Sequence, residues 1–134
     1  MEKELKLTTQ YGEQKVVQLE ISRYISNNCI YIGLLAKEED GFEPYGDVTV
    51  NLRGKVPDYC GYIDTNDMPE LEEFLVQNGI GTFTGLTQNS GYCTYPLYSF
   101  DAETLRKLCP KGMAEYERSL QKGEKIIVEK GWSR

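Results

Sequence analysis

The chain contains no histidine, only five prolines in 134 residues, and no Lys or Arg anywhere from Val56 to Leu105. Each absence removes a class of function. Without imidazole, a serine or cysteine nucleophile lacks its usual activating base, and a zinc site lacks its commonest nitrogen ligand. The four cysteines, Cys29, Cys60, Cys93 and Cys109, form no C-x-x-C pair. Free, partly buried thiols are expected in place of a metal knuckle. No apolar run approaches the roughly 18 residues that span a bilayer. The start, MEKELKLTT, alternates charged and apolar residues and carries no apolar h-region, which is not the pattern of a signal peptide. The expectation is a cytoplasmic protein with no membrane contact, no metal and no cofactor.

The missing cations matter more than the net charge of −6. The gap holds eight acids: Asp58, Asp64, Asp67, Glu70, Glu72, Glu73, Asp101 and Glu103. Phosphate contacts rest on Lys and Arg, so this region is a poor nucleic-acid face. From Asp101 onward the balance reverses, with Arg106, Lys107, Lys111, Arg118, Lys122, Lys125, Lys130 and Arg134 against six acids. On a helix beginning near Lys111, the side chains of Lys111, Arg118 and Lys122 fall near one face, interrupted by Glu115 and Glu117.

What the chain does have is period-2 alternation. Leu5 and Leu7 mark a first strand. Val17, Leu19, Ile21 and Ile25 mark a second, and Asn27-Asn28 separates it from a third, Cys29 to Ala36, expected to be central. Residues 37–46, KEEDGFEPYG, read as a polar loop around an Asp-Gly turn. Asp47 to Leu52, with Val48, Val50 and Leu52 inward, and Cys60 to Asp64 add strands. Asp67, Pro69 and Glu70 open a helix bearing Leu71, Phe74 and Leu75, which Asn78-Gly79 stops. Two more strands follow, Thr82 to Thr87 and Tyr92 to Phe100, joined around Asn89-Ser90-Gly91. Pro96 cannot donate to a ladder, so the second of them is predicted at a sheet edge or bulged. Asp101 caps a short helix ended by Pro110. Met113, Tyr116 and Leu120 mark another, stopped near Gly123, after which Ile126 to Val128 form a strand or a packed tail. The class is α+β: a single domain, residues 1–134, with a mainly antiparallel twisted sheet of about five to seven strands and two or three helices packed on it.

Two stretches stand out, PDYCGYIDTND (57–67) and IGTFTGLTQNSGYCTYPLYSFD (80–101), which mix aromatics, glycine and small polar residues. Tyr92, Tyr98 and Phe100 share one strand parity and Tyr95 the other, so both faces carry rings. One face packs on the core; the other is a candidate protein interface of rigid amphipathic area. Asp64, Asn66 and Asp67, with Thr65, form the densest polar cluster. Carboxylates beside amides suit a divalent cation or acid–base work, and a strand-to-helix turn that satisfies loose backbone groups accounts for the same composition. Gly79, Gly81 and Gly85 match neither the P-loop nor the dinucleotide fingerprint and are expected at a bulge or a close backbone approach. No catalytic residue is assigned.

The order YGDVTVNL, then YIDTND with LEEFLVQNGIGTFTG, then SGYCTYPLYSFD before a leucine-bearing helix resembles a small domain-of-unknown-function family encoded on conjugative and other mobile elements of gut Firmicutes. The resemblance covers residues 44–108 and leaves 109–134 as a helical, basic C-terminal segment. It implies a cytoplasmic accessory protein of such an element and carries no catalytic residue across. The expected function is a non-enzymatic interaction protein with an unidentified protein partner, homo-oligomers included. One version is a counter-defence inhibitor whose carboxylates occupy a basic channel. The alternatives are a metal-dependent small enzyme or nuclease using Asp64 and Asp67 with Asp47 or Asp101, and a nucleic-acid-binding accessory protein using the basic C-terminal third.

Overall fold

The computed structural model describes residues 2–132, with side chains as far as Gln121. The element order is β1 (Leu5–Thr8), β2 (Gln14–Arg23), β3 (Ile30–Glu38), β4 (Gly41–Asp47), β5 (Thr49–Val50), β6 (Cys60–Ile63), α1 (Leu71–Gln77), β7 (Gly81–Ser90), β8 (Cys93–Phe100), α2 (Ala102–Leu108) and α3 (Pro110–Trp132). All pairings are antiparallel, and the domain is α+β as the alternation predicts. The strands divide between two four-stranded sheets, β1-β2-β3-β4 and β5-β6-β8-β7.

The division happens at Val48. Asp47 still pairs with Gly33 of β3, and the Val48 N–H donates to Ile32 O at 2.8 Å. The Val48 carbonyl then accepts from Asp64 N at 2.9 Å, and Thr49 pairs with Ile63 of β6. One continuous run of residues therefore serves both sheets. This is why Val48 and Thr49 are both buried, although alternation expects only one of them inward. The Thr49 hydroxyl earns its place there by accepting from Ile32 N at 3.1 Å.

Residues 37–46 are not a loop. The turn is Glu39-Asp40, and its flanks continue as β3 and β4, paired from Glu38↔Gly41 back to Gly33↔Asp47. β4 carries no apolar alternation because its side chains are mostly exposed; its backbone pairing alone makes it a strand. α1 begins at Leu71, later than the Asp67 cap suggests. Asp67 caps nothing there, and Glu70 at the N-cap makes no side-chain cap bond. Its far end is as expected. Ile80 N donates to Leu75 O at 2.9 Å and Gly79 N to Val76 O at 3.1 Å, with Gly79 at φ 65°. Those two bonds are the Schellman pattern, which needs a residue at positive φ.

Asp101 caps α2 through Thr104 N at 3.0 Å. Pro110 both follows that helix and opens α3 at a first-turn position, where its missing N–H costs nothing. α3 runs through Gly123 to Trp132. A glycine inside a helix costs only about 1 kcal/mol, so the expected stop, and the strand at Ile126 to Val128, do not form. Leu105, Leu108, Met113 and Tyr116 of α2 and α3 join Leu7, Val17, Leu19, Ile21, Ile32, Leu71, Phe74, Leu75 and Phe100 in one buried cluster. No helix of the described residues is long and apolar enough to cross a membrane. All four cysteines are free, with Cys29 and Cys109 buried.

Candidate functional site

The polar cluster sits at the junction of the sheets. Asp64 leaves β6 and turns back at once: its Oδ1 accepts from Asp67 N at 3.3 Å, and its carbonyl accepts from Met68 N at 3.1 Å. The side chain thus shapes the β6–α1 connection, the role that composition alone allows for it. Burial raises the Asp64 carboxyl above its ordinary range, and the Asp67 and Asp47 carboxylates raise it further. Asp47 is taken by the Tyr31 hydroxyl, which donates to Oδ1 at 2.7 Å. Asn66 and Asp67 are exposed, and Asp101 is engaged at the start of α2. Among the described residues, no three Asp, Glu or Cys side chains are grouped to hold a metal ion.

The signature stretches are neighbours: β6, β8 and β7 lie side by side in the second sheet. Their mixture of glycines and rings has a packing origin. Phe100 pairs with Gly81, and Tyr98 pairs with Gly61. A Cβ on Gly61 would meet the Phe100 ring at 3.3 Å, and one on Gly81 would meet both Phe100 and Tyr98 at 3.3 Å. The flanking glycines leave the room that the two rings of the central strand fill. Tyr98 is 3% exposed and Phe100 4%. The Tyr98 hydroxyl donates to Glu72 Oε1 of α1 at 2.6 Å. Burial raises the Tyr98 phenol far above its usual value, and that carboxylate raises it further. Tyr98 and Phe100 are therefore core, whereas Tyr95 is half-exposed and Tyr92, at the hairpin tip, fully exposed.

β8 is central, not the edge that Pro96 suggests. Strand N–H groups face alternate sides. Phe100 N donates to Tyr59 O at 2.7 Å, on the β6 side, so positions 98 and 96 face that side too. The β6–β8 ladder runs only from Cys60↔Ser99 to Tyr62↔Leu97. Pro96 stands one residue beyond it, where no donor is required.

The edge is β7, ten residues long, with Thr82 to Thr87 all exposed. By the same alternation, Gly81, Phe83, Thr87 and Asn89 turn their backbone groups away from β8, and none has a backbone partner among the described residues. Phe83 is 45% and Leu86 62% exposed. Phe83 lies over Tyr98, ring centroids 5.8 Å apart. The register slips between Phe83 and Thr87, with Gly85 at φ 90° in the bulge. There Thr84 stands in for the ladder, its hydroxyl donating to Leu97 O at 2.8 Å and accepting from Leu86 N at 3.2 Å. The Gln88 amide donates to Arg53 O at 3.2 Å and ties the hairpin to the β5–β6 loop.

Sequence reasoning missed a third constellation. Tyr59 occupies the left-handed region at φ 63°, a rare place for a bulky residue. It is held on every side. Its N–H donates to the Tyr116 hydroxyl at 3.0 Å, its hydroxyl donates to Glu117 Oε2 at 2.6 Å, and its ring meets Tyr116 edge-on at 5.6 Å. Arg106 closes on the same Glu117 with bonds of 2.9 and 2.7 Å. Arg106 and the Tyr59 hydroxyl hold that carboxyl below its usual range, while burial raises the Tyr116 phenol to about 12. The arrangement clamps α2 and α3 to the second sheet. It also occupies Arg106, and Lys107 lies 3.6 Å from Glu103, so two of the basic residues expected to face nucleic acid are paired locally. The side chains of Lys122, Lys125, Lys130 and Trp132, and all of Arg134, lie outside the described residues.

No curated protein and no solved structure matches the chain. A family model described as a domain of unknown function (DUF4313) matches residues 18–120, from β2 into α3 and including both signature stretches, and the chain belongs to that family.

Proposed function

We propose that the protein is a non-enzymatic interaction module that receives a protein partner along the β7 edge and the β7–β8 tip. The carrying observation is the bare side of β7, with outward backbone groups beside exposed Phe83 and Leu86. A long edge with apolar side chains invites strand pairing, and natural proteins cover such edges or use them. The other edge strands are poorer candidates: β1 has four residues and β5 two, and the two rings of β4, Phe42 and Tyr45, are already half-buried. The bulge limits a partner to short ladders on either side of it. Tyr92 and Tyr95 extend the contact surface to the tip. The absence of Lys and Arg from Val56 to Leu105 favours a partner with a basic surface.

The resemblance to a family encoded on conjugative and other mobile elements of gut Firmicutes suggests the partner's origin within this reading: a host or element protein met in the cytoplasm, counter-defence being one setting. The metal-dependent alternative draws no support from the described carboxylates. The test is co-purification from a Firmicute host with wild-type protein and a Phe83→Asp/Leu86→Asp variant. The reading expects a partner recovered by the wild type and lost by a folded variant. Recovery of nothing at any salt, or equal recovery by both, contradicts it.

A further inference from the structure

A cleft of about 400 Å³ opens between the end of β2 and the early turns of α3, on a part of the molecule distinct from β7. Two arginines line it, Arg23 from β2 and Arg118 from α3, together with Ser22, Ser119, Ile25 and Glu115. Among the described residues neither arginine has a carboxylate within ion-pair distance, whereas Arg106, Lys107 and Lys37 all do. Arg23 is positioned nonetheless: its Nη1 donates to Asn28 Oδ1 at 3.0 Å, which leaves most of its five N–H donors unspent. The Ser119 proton is committed to the Tyr116 carbonyl at 2.6 Å, so Ser22 is the hydroxyl available to donate. Ile25, 89% exposed, presents an apolar wall beside these groups.

Two like charges facing one cleft repel each other unless an anion joins them, and a planar fork of donors matches the oxygens of phosphate. A lone surface arginine would not carry this argument. Two from different elements that line one cleft with a serine, in a chain of net charge −6, do carry it. We propose that the cleft binds a small phosphate monoester, its oxyanion held by Arg23, Arg118 and Ser22 and its apolar body laid on Ile25. The single carboxylate in the wall, Glu115, opposes binding and so sets an opposite-sign control.

The experiment is a titration of the full chain at low salt, read by calorimetry and by amide chemical shifts, with two probes, inorganic phosphate and phenyl phosphate. Both are expected to bind saturably, phenyl phosphate more tightly, with shifts at Ser22, Arg23 and Ser119. Arg118→Gln, at an exposed site that leaves folding intact, and Arg23→Gln should each weaken binding about tenfold, as expected for a lost charge-assisted bond. Glu115→Gln should tighten it. Ile25→Ser should remove the preference for phenyl phosphate and leave inorganic phosphate unchanged. No saturation by about 10 mM, which would place affinity beyond the millimolar limit of a useful site, overturns the proposal, as does binding indifferent to both arginine variants. Equal affinity for the two probes overturns the ester assignment, and arginine-dependent binding of a DNA oligonucleotide without phenyl phosphate binding assigns the groups to nucleic acid instead.

Discussion

At Gly112 a single absent methyl group decides where α3 can lie. A Cβ there would stand 2.5 Å from the Ile21 carbonyl oxygen and 3.0 Å from the Ile21 Cβ, so the helix backbone lies directly against the backbone of β2. Gly112→Ala must push the two apart. We expect a loss of about 1–3 kcal/mol, the range for overpacking a well-filled core, measured by urea denaturation. A neutral result would mean that α3 is not seated on β2 as described. Glu117 offers a second residue-scale test through pH. Its carboxyl is held low by Arg106 and the Tyr59 hydroxyl. Its contribution is therefore present above the unfolded glutamate value of about 4.3 and lost as pH falls through the lower folded value. Glu117→Gln should melt earlier than wild type at pH 7, with the difference shrinking steadily below that unfolded value. A gap independent of pH would assign the effect to packing alone. None of this was readable in advance: a close approach and a left-handed tyrosine are long-range facts, and Tyr59 and Glu117 are 58 positions apart.

Most elements were legible because they carry their own signals. β2 and β3 follow apolar alternation, and α1 ends where Asn78-Gly79 says it must. The misreadings share a cause, which is that neighbours override local pattern. β4 looks like a loop because it is defined by pairing with β3, and its two rings, Phe42 and Tyr45, stand three residues apart with no period-2 alternation between them. Pro96 looks like an edge residue because the sequence does not show where β6 stops, and the ladder on that side ends at Leu97. The candidate interface was legible in part. Tyr92, Tyr95, Tyr98 and Phe100 were grouped by type, and the pairing of rings with Gly61 and Gly81 separates core from surface among them. Tyr98→Ala should accordingly cost about 3–5 kcal/mol of stability, as for other large core truncations. Tyr92→Ala, at the exposed tip, should change stability by less than about 0.5 kcal/mol. Equal effects in thermal melts would contradict this sorting of the strand.

The whole molecule separates its charges by element. The strands of the second sheet carry no charged side chain, the connections around β6 and the helix α1 carry acids without cations from Val56 onward, and α2 and α3 carry cations of which Arg106 and Lys107 are paired to nearby acids. Within the proposed readings, the acidic connections suit a basic protein surface, and Arg23 and Arg118 suit an anion. The central claim remains the open edge. Amide hydrogen exchange on the free chain tests it most directly, because the two registers of β7 should behave oppositely. Thr82 and Gln88, which face β8, should exchange slowly; Phe83, Thr87 and Asn89, which face outward, should exchange fast at every protein concentration. Slow exchange at Phe83 and Thr87 in the isolated chain would show the edge already covered, and would contradict a docking strand that waits for its partner.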